Sequence, residues 1–342
     1  MEKQEYTSIL QVFLRDISYH TPHHEYDFAL EHDVYEYFVS LGFAPGLLVR
    51  LKPIARWSTG IAVTTYPWLS RSIQRVIAIY TVYLIAIDDL APEMKNDLKG
   101  FSQRLYRTQQ PENQLLRCFL GFMDVDVCSL YGQFSRDMML KANIDFVAAC
   151  YLEVELEASR GISLPREALS FPYYLRQKSG IAEVYALLAF PAELYPEDLY
   201  LTRFLPAIPD LVYVFNVVND IMSFYKESIV GTEKANLVSH IATVKSLSAL
   251  RSLQHLCQET SEAIERIRAI LSAVPQMQQD IENIFHGYTL YHLSQSRYRL
   301  KELGIPEAFE AEHLVKENFL RNKCDKGEPM EVHVQKVPQV MV

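Results

Sequence analysis

Residues 215–227 read FNVVNDIMSFYKE, an apolar run that also carries Asn219, Asp220, Ser223, Lys226 and Glu227. A helix turns by about 100° per residue, so positions i, i+4 and i+8 drift by only about 40° a step. Asn219, Ser223 and Glu227 therefore form one stripe, which continues backward through Phe215, Val212 and Leu211. The stripe is a polar patch that runs into an apolar floor. Two neutral oxygens and a carboxylate suit a hard divalent cation that keeps several waters. A solvated helix end gives the same spacing, so the remainder of the chain has to decide between them.

Glycine supplies only 12 of 342 residues, well under the usual ~7%, which disfavours strand-and-turn architectures. With 49% hydrophobic and 22% charged residues the chain is equipped to bury a large core, and an all-α fold is expected. Helical periodicity covers about 4–18, 31–43, 67–90, 112–141, 143–160, 166–190, 206–228, 234–273 and 276–302. No repeat or Gly/Ser/Pro-rich linker divides these segments, so residues 1–322 are expected as one domain. Residues 323–342 lack a helical pattern and are expected as a flexible C-terminal tail.

A formal charge of −9 argues against general affinity for nucleic acid or anionic membranes. Cys118, Cys128, Cys150, Cys257 and Cys324 are odd in number and contain no C-x-x-C pair, which points to reduced thiols and a cytoplasmic location. The N-terminus lacks a signal-peptide pattern, and the run VIAIYTVYLIAI at 76–87 is too short for a membrane span. It reads as a buried central helix.

That run ends in Asp88 and Asp89, with Glu93 following. Paired carboxylates at a helix C-terminus oppose each other and the helix dipole, and a bound cation would reverse both penalties. Both lying in water beside Pro92 is the plainer alternative. Arg176, Lys226, Arg297 and Tyr298 offer a fork, a point charge and a neutral donor of the kind that grips phosphate oxygens. His23, His24 and His32 do not form H-E-x-x-H and read as a surface cluster. No glycine-rich phosphate loop or nucleophile elbow occurs, so an anionic ligand would be held by side chains and metal.

Taken together, NDIMSFYKE (219–227), RQKSG (176–180) and SRYRL (296–300) resemble the fungal trichodiene synthase-like sesquiterpene synthases, a branch of the class I terpene cyclases. The matches run in the family's order and span 88 to 298. The resemblance implies a single-domain class I terpenoid synthase bundle around a central apolar cavity. It assigns Mg2+ to Asn219, Ser223 and Glu227, and further Mg2+ to Asp88 and Asp89, forming a trinuclear cluster once substrate binds. It assigns diphosphate contacts to Lys226, Arg297 and Tyr298, diphosphate sensing to Arg176, and a steering backbone carbonyl to Gly180. A homodimer is implied as well.

Two positions depart from the family pattern. Pro92 stands where the last Asp of D-D-x-x-D belongs, leaving Glu93 as the next carboxylate and a candidate metal ligand. Ser179 occupies a linking position where relatives often carry Asp or Asn.

The implied reaction is ionisation and cyclisation of farnesyl diphosphate to a cyclic sesquiterpene, hydrocarbon or alcohol. A geranylgeranyl diphosphate cyclase, a chain-elongating prenyltransferase and a non-catalytic isoprenoid-binding protein are the alternatives. A carbocation requires a dry cavity, which predicts that the 226–236 loop closes over the mouth. Ring faces attract such cations, and Phe215, Tyr291, Tyr83 and Trp57 are the candidate cavity aromatics. No residue is identified as the final base, a role open to the bound diphosphate itself.

Overall fold

The computed structural model describes residues 2–159, 162–233 and 236–314, and among them every regular element is helical. The expected tail, 323–342, lies outside the described residues. The order is α1 (Glu2–Asp16), α2 (Phe28–Ser40), α3 (Pro45–Thr65), α4 (Arg71–Asp89), α5 (Lys95–Leu98), α6 (Phe101–Tyr106), α7 (Gln114–Phe122) and α8 (Gln133–Ala158). There follow α9 (Phe171–Ser179), α10 (Ala182–Leu188), α11 (Glu197–Phe204), α12 (Ile208–Phe224), α13 (Leu237–Lys245), α14 (Ala249–Leu271) and α15 (Pro275–Ser294).

Two helices set the architecture because their central turns are buried on every side. In α4, Ile77 to Leu84 are all buried, and the helix packs against α2, α3, α7 and α8. In α12, Val214 to Val218 and Asp220 to Phe224 are buried, with α9, α10, α14 and α15 around them. The stretch Glu197–Ile229 is long and apolar enough to cross a membrane by composition alone, and 56% of the qualifying window is buried inside the fold. Core packing accounts for that apolarity. On the far side α3 and α15 cross closely: a Cβ at Gly287 would lie 1.8 Å from the Thr64 carbonyl oxygen, so only glycine fits there.

Several expected segments divide. The 166–190 segment breaks between α9 and α10, and 234–273 breaks at Ser246, which adopts a left-handed backbone (φ 55°). Helix α3 was absent from the expected segments. Pro53 in its interior and the β-branched run near its end hide a helix whose second half is buried on every side. The helix that begins at α12 passes at Tyr225–Ile229 into a π-helical turn, which carries Lys226 and Glu227. Such wide turns are concentrated at functional sites.

Candidate active site

Asp88, at the end of α4, and Asn219, on α12, line the same opening. Its outer part, about 210 Å³, is polar and is bounded by Glu153, Asp220, Glu227, Glu233 and Asn236. Its inner part, about 200 Å³, shares Asp88, Arg176, Ser179 and Asn219 with the outer part and continues between Phe215, Tyr185, Tyr288 and Tyr291. A charged mouth thus stands over an aromatic chamber. From the segment expected to close over the mouth, the described residues Glu227, Glu233 and Asn236 line it.

On the α12 side the polar groups are tied to one another. Arg176 Nε donates to Asp220 Oδ2 at 2.8 Å, and its Nη2 donates to Asn219 Oδ1 at 3.1 Å. Burial opposes the Arg176 charge, but Asp220 first, with Tyr288 and Glu227, outweighs it and raises the pKa. Burial pushes the Asp220 carboxyl up to about 6 even with Arg176 drawing it down. Asn219 Nδ2 lies 3.2 Å from His292 Nε2, and burial drives that imidazole down to about 3, so it is neutral. Asn236 caps α13 by accepting from Ser239 N–H at 3.0 Å, and its amide reaches Glu227 at 3.5 Å and Ser228 at 3.1 Å.

At the α9–α10 break, Gly180 is indispensable: a Cβ there would meet Asn216 Oδ1 at 1.8 Å and Arg176 Nη1 at 2.8 Å. The next residue, Ile181, takes φ 50°, a strained conformation for a β-branched side chain. The chain's hydrogen bonding resumes at the Ile181 carbonyl, which accepts from Val184 N–H at 3.1 Å, leaving the Gly180 carbonyl outside the ladder beside the chamber. Ser179 faces Glu153 of α8, so this linking position reaches α8 instead of α12.

On the α4 side the carboxylates are held more loosely. Asp88 keeps contact with solvent, yet protein surrounds it on most sides. Burial first and Asp89 second raise its pKa, while Arg297, Arg176 and Lys226 oppose the shift through space. Glu153, pushed up to about 7 by burial and by the charge of Asp88, adds a carboxyl that the sequence reading missed. Glu93 does not join them. It faces outward, where Arg50 Nη1 donates to both of its carboxylate oxygens at 2.8 and 2.9 Å, which corrects its expected place among the metal ligands. The residues after α4 turn away from the mouth, so a carboxylate four positions beyond Asp89 points elsewhere.

Lys226 Nζ lies 3.1 Å from Glu227 and 5.6 Å from the Tyr298 ring centre, and Arg297 lies over the rings of Trp57 at 5.2 Å and Tyr298 at 5.5 Å. The cationic candidates are therefore grouped around the mouth. Phe215, on the stripe's own face, and Tyr291, on α15, both line the chamber. Tyr83 and Trp57 do not. Tyr83 stands five residues before Asp88, about 140° away around α4, and packs on Tyr37, Phe38, Phe119 and Phe122. Trp57 stands behind Arg297 and lines a separate cavity.

The donor set fits Mg2+. Among the described residues no three His, Cys, Asp or Glu side chains converge as a metal cluster. Ser223, however, is 1% exposed and its Oγ has no partner, one turn from Asn219 and Glu227. An orphaned hydroxyl costs about 1–3 kcal/mol, and this one stands along the helix between Asn219 and Glu227, which line the mouth. Neutral oxygens beside carboxylates are the donors a hard cation prefers.

Asp220, Glu153, His292, Tyr185 and Tyr288 were missed by sequence reasoning. Asp220 had a signal, a charge inside a buried helix, and the others sit on ordinary-looking helical faces.

The family model for trichodiene synthase (TRI5) matches residues 43–325. The chain belongs to the trichodiene synthase family. It is 39% identical over 308 residues to the (E)-beta farnesene synthase of Metarhizium brunneum, covering 90% of this chain and 92% of that one. It is 30% identical over 299 residues to terpene synthase BipA of Cochliobolus sativus, covering 86% and 89%. The linalool/nerolidol synthase of Streptomyces clavuligerus has the same fold, with a TM-score of 0.60 at 13% identity over 80% of this chain and 99% of that one. The enzyme is a class I terpene synthase, a lyase. Its family generally depends on Mg2+.

Proposed function

We propose that the enzyme ionises farnesyl diphosphate and cyclises the resulting cation to a sesquiterpene. The observation that carries this reading is the single opening in which Asp88 and Asn219 face each other above an aromatic chamber. Asn219, Ser223 and Glu227 on one rim, with Asp88 and Asp89 on the other, would hold a trinuclear Mg2+ cluster. Bound there, Mg2+ supplies electrostatic stabilisation to the leaving diphosphate. Arg176, Lys226, Arg297 and Tyr298 donate to its oxygens, and Asp220 keeps Arg176 aimed. The Gly180 carbonyl faces the allylic carbon, while Phe215, Tyr185, Tyr288 and Tyr291 exclude water and turn ring faces toward the cation. Closure of the 226–236 loop completes the dry chamber.

The test is incubation with Mg2+ and geranyl, farnesyl or geranylgeranyl diphosphate, each separately, followed by mass spectrometry of the organic extract. Fifteen-carbon products from farnesyl diphosphate, abolished by EDTA, are expected. Twenty-carbon products alone, or diphosphate release without any terpene product, would contradict the proposal. The name of the Metarhizium relative, that of an acyclic hydrocarbon, favours a second reading in which a proton leaves before ring closure. The same extract distinguishes the two. We further propose a cytoplasmic homodimer, which size-exclusion chromatography with light scattering checks for assembly.

A further inference from the structure

A primary amide can present oxygen or nitrogen at one place, and only the oxygen binds a cation. The contacts of Asn219 remove the ambiguity. Arg176 Nη2, 3.1 Å away, belongs to a guanidinium that can only donate, so the atom facing it is oxygen. Asn219 Nδ2 then faces His292 Nε2 at 3.2 Å and donates, so that ring nitrogen accepts. The other ring nitrogen, Nδ1, lies 2.7 Å from the Tyr288 carbonyl oxygen, which can only accept, so Nδ1 carries the proton. One set of assignments satisfies all three contacts. The hydrogen bonds run in a single direction, from Arg176 through Asn219 and His292 to the Tyr288 carbonyl.

We infer that His292 is a positioning residue that fixes the Asn219 amide with its oxygen toward the mouth, as a metal ligand requires. The inference rests on the Mg2+ site of the proposed function. His292 is 0% exposed and packed by Tyr288, Tyr298 and Tyr291, with ring centres at 4.5, 4.6 and 5.2 Å. Water therefore has no room to take over its accepting role. Turned over, the amide would set N–H groups against Arg176 and oxygen against a lone pair, and His292 holds the productive orientation against that alternative. Its effect reaches the metal through Asn219, in the way outer partners tune ligands elsewhere.

The test is calorimetric titration of the full-length protein with inorganic pyrophosphate across a series of Mg2+ concentrations, with thermal unfolding measured alongside. His292→Phe keeps the ring and removes the acceptor, and the Mg2+ midpoint is expected to rise about tenfold or more. His292→Gln, whose amide oxygen can accept from Asn219, is expected to return the midpoint to within about threefold of wild type. In an Asn219→Asp background, where both oxygens are equivalent, His292→Phe is expected to add less than about twofold.

A folded His292→Phe variant with an unchanged midpoint would overturn the inference, and so would equal losses in the Phe and Gln variants. Independently of metal, a 1H–15N correlation spectrum of histidine-labelled protein is expected to show His292 with Nδ1 protonated. Protonation on Nε2 alone would overturn the inference while leaving the metal site standing. Absence of Mg2+-dependent pyrophosphate binding in the wild type would instead overturn the site reading, and the inference with it.

Discussion

On the α12 side of the opening Asp220 holds Arg176 at 2.8 Å, Arg176 holds Asn219 at 3.1 Å, and Asn219 meets His292 at 3.2 Å. On the α4 side Asp88 is opposed by Asp89 and feels Arg297, Arg176 and Lys226 only through space. One rim is pre-set by the protein, and the other waits for charge to arrive. Preorganised donors cost no rearrangement during the reaction. Loose carboxylates instead make the two rims depend on a cation to bring them together. Under the proposed function, ligand binding and closure would then be one event.

The largest expected effect uses both rims. Asn219→Ala and Asp88→Ala should each lower turnover of farnesyl diphosphate by about a hundredfold or more, since ionisation relies on that electrostatic stabilisation. Thermal unfolding should separate them. Asn219→Ala takes one acceptor from Arg176, which keeps Asp220, and the donor from His292 Nε2, leaving that buried nitrogen unpaired, and should cost about 1–3 kcal/mol. Asp88→Ala removes a carboxylate raised by burial and by Asp89, and should leave the unfolding temperature unchanged or higher. Equal destabilisation by both would erase the contrast between the rims.

A pH titration of stability probes a region remote from both. Burial, with the His20 ring tilted against it at 3.9 Å, drives His286 down to about 4. The unfolded chain binds this proton near pH 6.5 while the fold refuses it until about 4, so stability falls as pH drops through that window. Of the loss between pH 8 and pH 5, about 2 kcal/mol should come from His286, beside a parallel share from His292. His286→Gln should flatten that part of the curve, as chemical denaturation across the pH range would register.

Glu93→Gln should have the smallest effect. Its pair with Arg50 is exposed, so a stability change within about 0–1 kcal/mol and turnover within about twofold are expected. A hundredfold loss would return Glu93 to the metal site.

How far the sequence was legible depended on where the information lay. Helices α4, α12 and α15 could be read because long apolar runs have few other uses in a glycine-poor chain. Helix α3 could not, because burial on every side removes the periodicity and Pro53 reads as a breaker. Asn219, Asp88, Arg176 and Arg297 were found through local motifs, and the fold brings them around one mouth. Glu93 was misread because spacing along the chain does not reveal how a turn after α4 points a side chain. Tyr83 was avoidable, since its angle around α4 from Asp88 already excluded it. Glu153 and His292 carry no local mark at all. Their importance comes from contacts with Asp88 and Asn219 made across the fold.

The most direct test of two rims sharing one inorganic anion is an anomalous-scattering crystal structure of the protein with Mn2+ and pyrophosphate. Mn2+ is expected between the α4 and α12 rims, with ligands from Asp88 on one side and from Asn219, Ser223 and Glu227 on the other, all bridged by pyrophosphate. Pyrophosphate bound elsewhere, or metal touching one rim alone, would contradict the account.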